Sequence, residues 1–402
     1  MDDGSRLLTS PEVGPLLRAA VEHAGGLLGD WSLKHVDTNP EQSTTATYLA
    51  AVTWPWGTRS ELLGVSARSE GLSATDRGAA VFADGSREVA VWLYPHDPEL
   101  PGLPRAAYPE QLAELLTAER VLTQPVTADQ LSVTMIGYRP RRRAVVKVEV
   151  HPTSEVFYIK VLRAKVFDDV VAKHRMLLDA GIPAPSVALV TPDHLMVTRE
   201  LPGRSLARAI FDEDDPCSAE QLIGALDAMP PAVARLERRP PWSDAVGHYA
   251  SMINSAMPEL GHDLAWVVEQ IAGGLADVPA GSEPTHGDFH EGQLRVDAGH
   301  IVGILDVDTI GPGRRADDLA CLMAHLSTIQ GMKPEQEAKV RDRLRRWVPV
   351  FDERVDATEL RLRTAAVVIS LATGPYRSQE THWRDTTAQM VSSAVALVRQ
   401  VV

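Results

Sequence analysis

The sequence predicts an α+β protein in which strand-rich segments precede a mainly helical one. Residues 1–200 contain short runs of β-branched and aromatic side chains separated by turn signals. Residues 201–402 instead carry apolar side chains at helical spacing. The chain has 402 residues, which exceeds one ordinary domain of about 100–200 residues. We therefore expect two or three domains.

Residues 1–125 are predicted to form a small α+β domain. An amphipathic pattern beginning at Pro15 predicts a helix that stops at the pair Gly25 and Gly26. Four strand-like runs follow: ATYLAAVTW, ELLGVSAR, AAVFAD and EVAVWLY. A proline-rich stretch and a short helical run then lead to LTQPVT, where we place the domain boundary.

Residues 126–200 are predicted to form a five-stranded antiparallel sheet with one helix, in the order β-β-β-α-β-β. The first two strands, LSVTMIGY and AVVKVEV, flank the basic tip RPRRR, whose arginines either contact phosphate or lie in solvent. Lys160 stands alone in the otherwise apolar third strand, and Gly181 ends the helix.

Residues 201–402 are predicted to be mostly helical, because seven runs repeat apolar residues at helical spacing. Only the stretch around 284–310 differs. It indicates strand, loop and strand, with a hairpin turn around Asp297–Gly299.

Composition limits the possible partners and compartment. Forty Lys and Arg against 54 Asp and Glu give a net charge of −14, which argues against a nucleic-acid or anionic membrane surface. The two distant cysteines, Cys217 and Cys321, form neither a disulfide framework nor a CxxC zinc pattern. No signal peptide or apolar run long enough to span a membrane is evident. We expect a cytoplasmic monomer or homodimer.

The motif THGDFHEGQL, followed by ILDVD, is typical of phosphoryl-transfer chemistry. Such a site needs a carboxylate near the attacking hydroxyl, metal ligands on the nucleotide phosphates, and a cation on those phosphates. Asp288 and Gln293 lie five residues apart before the hairpin, and Asp306 ends the strand that returns from it. These residues can therefore meet, and Mg²⁺ prefers oxygen ligands of this kind. Lys160 can hold phosphate oxygens.

The segments HGDFHEGQ, ILDVD and DDLA resemble the aminoglycoside phosphotransferase family, a group of protein-kinase-like small-molecule kinases. The resemblance covers roughly residues 126–400. Gln293 in place of the usual asparagine, together with a long N-terminal extension, is similar to the maltokinase and glucosamine kinase branch. The resemblance implies a protein-kinase-like two-lobed fold, with an N-terminal cap (1–125), an N-lobe (126–200) and a helical C-lobe (201–402).

The resemblance also implies roles for individual residues. Asp288 is the catalytic base, Gln293 and Asp306 bind Mg²⁺, and Lys160 binds the ATP phosphates. The acidic partner of Lys160 stays open, with the candidates Asp168, Asp169 and His174 or no partner at all.

Further roles follow from the same resemblance. The backbone of the hinge residues Arg199, Glu200 and Leu201 meets adenine. His286 is structural, and Asp318 braces the catalytic loop.

Four residues are candidate acceptor contacts: His290, Asp308, His382 and Trp383. Each also suits a loop or turn role without substrate. Asp308 lies two residues past Asp306 and either lines the acceptor pocket or caps a turn.

The resemblance implies an enzyme that transfers the γ-phosphoryl group of ATP to a hydroxyl of a small sugar or aminosugar. An aminoglycoside or other antibiotic kinase is the alternative within the same chemistry. A catalytically silent kinase-like regulatory module is a second alternative, although the complete set of Lys160, Asp288, Gln293 and Asp306 favours an enzyme. A metal-dependent hydrolase is a third, but no third histidine lies near His286 and His290 in a fitting place for zinc.

Overall fold

A computed structural model describes residues 3–39, 42–68, 79–84 and 87–402. The chain divides into two compact units. The first comprises the residues up to 171 together with 186–200 and 376–381, and the second comprises 172–185, 201–375 and 382–402. Both strands and helices are present as predicted, which confirms the α+β class.

The first unit begins with two short helices and a five-stranded antiparallel sheet of order β1-β2-β3-β5-β4. Leu17 and Val21 of the second helix are buried in the core of this sheet together with Tyr48. The first strand was not predicted, because it is rich in polar side chains and mostly half-exposed. The elements are α1 Ser5–Leu8, α2 Gly14–His23, β1 Leu27–Asn39, β2 Ser43–Trp54, β3 Gly57–Arg68, β4 Ala80–Asp84 and β5 Arg87–Leu93.

A second five-stranded antiparallel sheet of order β6-β7-β8-β10-β9 follows in the same unit and confirms the predicted one. Lys160 lies on its central strand, between Val145 and Met196 on the neighbouring strands, and is therefore not a residue of an edge strand. The elements are α3 Leu103–Ala107, α4 Pro109–Ala118, β6 Leu131–Arg139, β7 Arg143–Val150, β8 Glu155–Leu162, α5 Ala164–Asp179, β9 Val187–Val190 and β10 Leu195–Arg199.

The segment that connects the two sheets is part of the core of the second sheet. Leu100, Leu112 and Leu116 are completely buried in one cluster with Val146 and Phe157 of the sheet. Burying each such side chain contributes about 1.5–3 kcal/mol relative to leaving it exposed.

Polar contacts also join the two sheets. Trp92 Nε1 of β5 donates to the hydroxyl oxygen of Tyr138 on β6 at 2.8 Å. The Tyr138 hydroxyl and the Arg141 backbone N–H both donate to Asp97, at 2.7 and 2.8 Å. These bonds fix the loop after β5 against the hairpin formed by β6 and β7.

The second unit is mainly helical, as predicted. The helix that begins at Ala219 ends at Asp227, shortly before Pro230 and Pro231. The described residues include no helix that is both long and apolar enough to cross a membrane. Its helices are α6 Leu206–Asp212, α7 Ala219–Asp227, α8 Val246–Ala256, α9 Gly261–Leu275, α10 Arg315–Ser327, α11 Pro334–Arg354, α12 Ala357–Leu371 and α14 Trp383–Val398. Helix α13 Gly374–Arg377 is divided between the two units after Pro375.

Two small sheets of the second unit contain the strands on either side of Asp288. One has the order β11-β13-β14, and the other pairs β12 with β15. The strands are β11 Arg204–Ser205, β12 Glu283–Thr285, β13 Leu294–Asp297, β14 His300–Ile304 and β15 Gly311–Gly313. The loop between β12 and β13 contains Asp288, and Asp306 follows β14.

Candidate active site

The loop from His286 to Gln293, which we call the catalytic loop, begins with a tight backbone turn. Gly287 has a φ of 81°, in the left-handed region that favours glycine. A Cβ atom on Gly287 would lie 2.6 Å from the carbonyl oxygen of Thr309, so the two segments approach more closely than any side chain permits. Asp288 is the next residue after this glycine.

Asp318 holds the start of the catalytic loop. Its two carboxylate oxygens accept the backbone N–H groups of His286 at 2.9 Å and of Gly287 at 2.8 Å. Arg315 Nη1 lies 3.4 Å from the same carboxylate. Asp318 is completely buried, and this burial raises its pKa to about 6.

His286 connects the catalytic loop to the end of β14. Its Nε2–H donates to the carbonyl oxygen of Leu305 at 2.9 Å, and its Nδ1 accepts the N–H of Asp288 at 3.3 Å. The Thr309 hydroxyl donates to the His286 carbonyl at 2.8 Å. The ring is fully buried.

Gln293 and Asp306 lie at the same end of the β13–β14 hairpin. Leu294 is paired with Ile304, and the Leu305 N–H donates to the carbonyl of Gln293 at 2.7 Å. Asp306 follows directly with a φ of 50°, a left-handed conformation that aspartate tolerates better than most residues. A carboxylate and an amide oxygen at one hairpin end are the donor types that suit Mg²⁺.

His290 is part of a stacked pair of imidazoles that the sequence did not predict. Its ring lies 4.0 Å from that of His325 on α10, with only 7° between the planes. His290 Nδ1 accepts the Gly292 N–H at 3.1 Å, and Gln293 Nε2 lies 3.1 Å from His290 Nε2. Burial lowers the pKa of each histidine to about 4, so both are neutral at neutral pH.

His325 corrects the expectation that no further histidine lies near His290. Ligand atoms of Asp288, His290 and His325 all lie within 4.8 Å of one another. The stacked rings are nearly parallel, however, whereas tetrahedral zinc needs ligand lone pairs that converge. Both nitrogens of His290 also have protein partners. The cluster therefore does not favour the hydrolase interpretation.

Helix α10 contributes two further groups near Asp288 that the sequence analysis missed. Cys321 Sγ lies 3.8 Å from Asp288 Oδ1, and burial raises the pKa of this thiol, so it remains a neutral donor. Asp318, Cys321 and His325 follow one another at intervals of three and four residues, which places them on one face of the helix. That spacing is a signal in the sequence that could have identified them.

Glu291 is a buried acid beside the same site. Burial, and then the negative charge of Asp288, raise its pKa to about 7. Its Oε2 has no hydrogen-bond partner among the described residues. A buried carboxyl group that is only partly ionised near neutral pH therefore lies three residues after Asp288.

The predicted hinge residues have partners within their own units. The N–H of Arg199 donates to Ser186 and that of Glu200 to Val156, both at 3.0 Å. The Leu201 carbonyl accepts Arg295 Nη2 at 3.3 Å. Two of the three hinge N–H groups are thus already bonded within the protein.

The candidate acceptor residues lie in different places. Asp308 is buried, and its backbone carbonyl accepts Lys173 Nζ at 3.1 Å. His382 and Trp383 lie at the start of α14, where His382 is exposed and Arg384 lies 4.5 Å from the ring of Trp383. Asp308 therefore lies in the short segment directly after Asp306. His382 and Trp383 lie on a separate helix.

Comparison with protein families gives a match to the phosphotransferase enzyme family over residues 139–354, more than half of the chain. The chain belongs to this family. The catalytic loop, Gln293, Asp306 and Asp318 all lie inside the matched region. Comparison with curated protein sequences gives no match.

Several solved structures are similar to this chain at low sequence identity. An ethanolamine kinase from Plasmodium vivax is 12% identical, with a TM-score of 0.46, and the match covers 73% of this chain and 90% of that one. A choline kinase from Cryptosporidium parvum is 12% identical, with a TM-score of 0.48 and coverages of 72% and 95%. A thermostable mutant of aminoglycoside phosphotransferase APH(4)-Ia is 16% identical, with a TM-score of 0.48 and coverages of 67% and 94%.

Family membership confirms three predictions from the sequence. The protein is an enzyme, a phosphotransferase of the small-molecule kinase type with an alcohol group as acceptor. Its fold is of the protein-kinase-like α+β class. The cofactors of the family are ATP and Mg²⁺.

Proposed function

We propose that this phosphotransferase moves the γ-phosphoryl group of ATP to a hydroxyl of a small sugar or aminosugar in the cytoplasm. The observation that carries the proposal is the position of Asp288. The turn at Gly287, the two N–H bonds to Asp318 and the Nδ1 atom of His286 hold the backbone of Asp288 in one place. A positioned base of this kind contributes on the order of 10²–10⁴ in rate.

Asp288 acts as the general base in this proposal. It accepts the proton of the acceptor hydroxyl as that oxygen attacks the γ-phosphorus, while the bond from phosphorus to the β,γ-bridging oxygen breaks and ADP leaves. Cys321 donates a weak hydrogen bond to Oδ1 and thereby helps to orient the carboxylate.

Gln293 and Asp306 are the residues that would hold Mg²⁺. The bound ion neutralises phosphate charge and orients the transferring group. The backbone bond from Leu305 to Gln293 fixes the spacing of the two side-chain origins. Lys160 would bind the phosphates, and its central position in the second sheet gives it a rigid support.

The sugar or aminosugar acceptor is supported by the resemblance to the maltokinase and glucosamine kinase branch, which rests on Gln293 and the N-terminal extension. In this proposal residues 1–125 are the cap, 126–200 the N-lobe and 201–402 the C-lobe. Asp308 and His290 lie within the catalytic-loop region and are proposed acceptor contacts. His382 and Trp383 are proposed as further ones.

An aminoglycoside is the second candidate acceptor, because the net charge of −14 suits a polycationic substrate. The test is ADP release from Mg-ATP with a panel of sugars, aminosugars and aminoglycosides. Asp288→Asn is the control for background ATP hydrolysis. Release that depends on a sugar or aminosugar and is lost in Asp288→Asn supports the proposal, whereas release with aminoglycosides alone replaces the acceptor class.

A further inference from the structure

A segment of the second unit that has no role in the proposed function lies against the chain beside Asp306. It comprises the last part of α5 and the residues after it, 172–185, and we call it the α5 support. The N–H of Ile304, two residues before Asp306, donates to the carbonyl oxygen of Pro183 in this segment at 2.9 Å. The α5 support therefore fixes the backbone on the N-terminal side of Asp306.

Lys173 of the α5 support makes a contact on the other side of Asp306. Its Nζ donates to the carbonyl oxygen of Asp308 at 3.1 Å, and both residues are buried. The acceptor is a backbone atom, so the bond restrains the chain itself at this position. Hydrogen bonds from a lysine ammonium are also stronger than those between neutral groups. The segment that contains Asp306 is thus held two residues before it and two residues after it.

The α5 support is itself fixed in the core of the second unit. Leu177, which lies one helical turn after Lys173, is completely buried in the same hydrophobic cluster as Val307. Protein interiors are close-packed, so side chains in such a cluster have few alternative positions. Lys173 is therefore attached to a rigid base beside the residues that follow Asp306.

The backbone of Asp306 needs such support, because its φ is 50°. Residues with a side chain adopt left-handed conformations rarely, and these persist only where the surrounding structure imposes them. The catalytic loop contributes two restraints: His286 Nε2–H donates to the Leu305 carbonyl at 2.9 Å, and the Thr309 hydroxyl donates to the His286 carbonyl at 2.8 Å. The bond from Lys173 comes instead from a helix outside the catalytic loop, so it can be removed without changing that loop.

We propose that Lys173 is a positioning residue for Asp306. By holding the carbonyl of Asp308, it stabilises the left-handed backbone of Asp306 and fixes the origin of its side chain. The inference rests on the proposed function, in which Asp306 and Gln293 hold Mg²⁺. Groups that orient a metal ligand from outside the ligand set typically cost about 10–100-fold in metal affinity when they are removed. Loss of the Lys173 ammonium should weaken metal binding by about this factor.

The test measures binding rather than turnover. ADP is titrated calorimetrically into the full-length chain with and without Mg²⁺, and the ratio of the two affinities gives the contribution of the metal. Lys173→Met removes the ammonium and keeps an unbranched side chain. The ratio should fall by about tenfold or approach one, while the affinity for ADP without Mg²⁺ stays at the parent value. A purely structural role would instead lower both affinities together.

Lys339→Met is the matched control. Nζ of Lys339 donates to the carbonyl oxygen of Phe211 at 2.8 Å, so this variant removes the same kind of bond from α11 of the same unit. Its ratio should equal that of the parent. Lys173→Arg keeps a cationic donor and should recover most of the lost ratio. Lys173→Gln keeps a polar but shorter side chain, and it takes the place of Lys173→Met if that variant fails to fold.

The proposal is overturned if Lys173→Met keeps the parent ratio, if Lys339→Met loses as much, or if Lys173→Arg recovers nothing. Asp306→Ala separates these outcomes from a failure of the proposed function. If Asp306→Ala keeps the parent ratio, Asp306 does not hold the metal, and both proposals are wrong on this point. If the ratio is lost in Asp306→Ala but kept in Lys173→Met, the metal role of Asp306 stands and only the role of Lys173 is wrong.

Discussion

Gly287→Ala is expected to damage both stability and catalysis, and the structure allows the two causes to be separated. An alanine at a φ of 81° costs about 1–2 kcal/mol for the left-handed backbone. Its Cβ would also lie 2.6 Å from the Thr309 carbonyl oxygen and 3.2 Å from the Thr309 Cβ. Overpacking of this kind adds typically about 1–3 kcal/mol. The expected total is therefore about 2–5 kcal/mol, from these two contributions.

Gly299→Ala is the matched control for this prediction. Gly299 has a φ of 78° in the β13–β14 turn, but the nearest atom to its added Cβ is the Asp215 carbonyl oxygen at 3.8 Å, an ordinary contact. The control therefore carries the backbone cost without the clash. Alanine also reduces the entropy of the unfolded chain, which offsets about 0.4–1 kcal/mol in both variants.

Urea unfolding and steady-state kinetics measure the two effects of Gly287→Ala. The clash pushes Thr309 away, and the Thr309 hydroxyl holds the carbonyl of His286 at 2.8 Å. Asp288 should therefore shift, and a displacement of about 1 Å can cost on the order of 10² in rate. We expect kcat of Gly287→Ala to fall by at least about tenfold, which is a cautious threshold below that 10²-fold cost. In Gly299→Ala, kcat should stay near the parent value. Equal stability and equal kcat of the two variants would refute the reasoning.

Four further outcomes are expected. Asp288→Asn should fold normally by circular dichroism and lose on the order of 10²–10⁴ in kcat, and activity close to that of the parent would contradict its role as base. Asp306→Ala should lose Mg²⁺-dependent ATP binding by calorimetry, so an unchanged affinity would exclude it as the main metal ligand. Because burial lowers the pKa of His325 to about 4, this side chain takes up a proton mainly in the unfolded chain as the pH falls from 6.5 to 4. The free energy of unfolding should therefore fall by about 3 kcal/mol over this range. Urea unfolding of His325→Gln should show a correspondingly smaller loss. A fragment of residues 126–402 should be insoluble or melt far below the full chain, and a stable, fully active fragment would show that the first sheet and its connecting segment are dispensable.

The second sheet and the catalytic loop were predictable because their signals are local. Alternating strands, the isolated Lys160 and the spacing of Asp288 and Gln293 are all read within a few residues. His325 was missed because it lies 35 residues after His290 and meets it only through the packing of α10. A helical wheel from Asp318 would have placed it on the correct face, but nothing in the sequence specifies the stacking of two imidazoles.

The ion pair between the basic tip and Asp37 could not be predicted, because strand β1 itself was not predicted. From the sequence, its arginines either contacted phosphate or lay in solvent. The structure pairs Arg142 with Asp37 of β1, a strand whose sequence LLGDWSLKHVDTN alternates poorly and buries only Val36 fully. Strand β1 is held in place mainly by its pairing with β2 and not by an alternating pattern of its own side chains. Its polar residues could therefore not be assigned to one surface of a sheet from the pattern alone.

The segment that connects the two sheets packs against the sheet that carries Lys160. Leu100, Leu112 and Leu116 precede the boundary at LTQPVT, yet they are buried in the core beneath the strands that flank Lys160. Turn residues mark where a chain changes direction, whereas burial decides which segments unfold together. Removing this segment would expose the apolar face of the second sheet and loosen β8. The segment before residue 125 therefore supports the strand that carries Lys160 through this shared core.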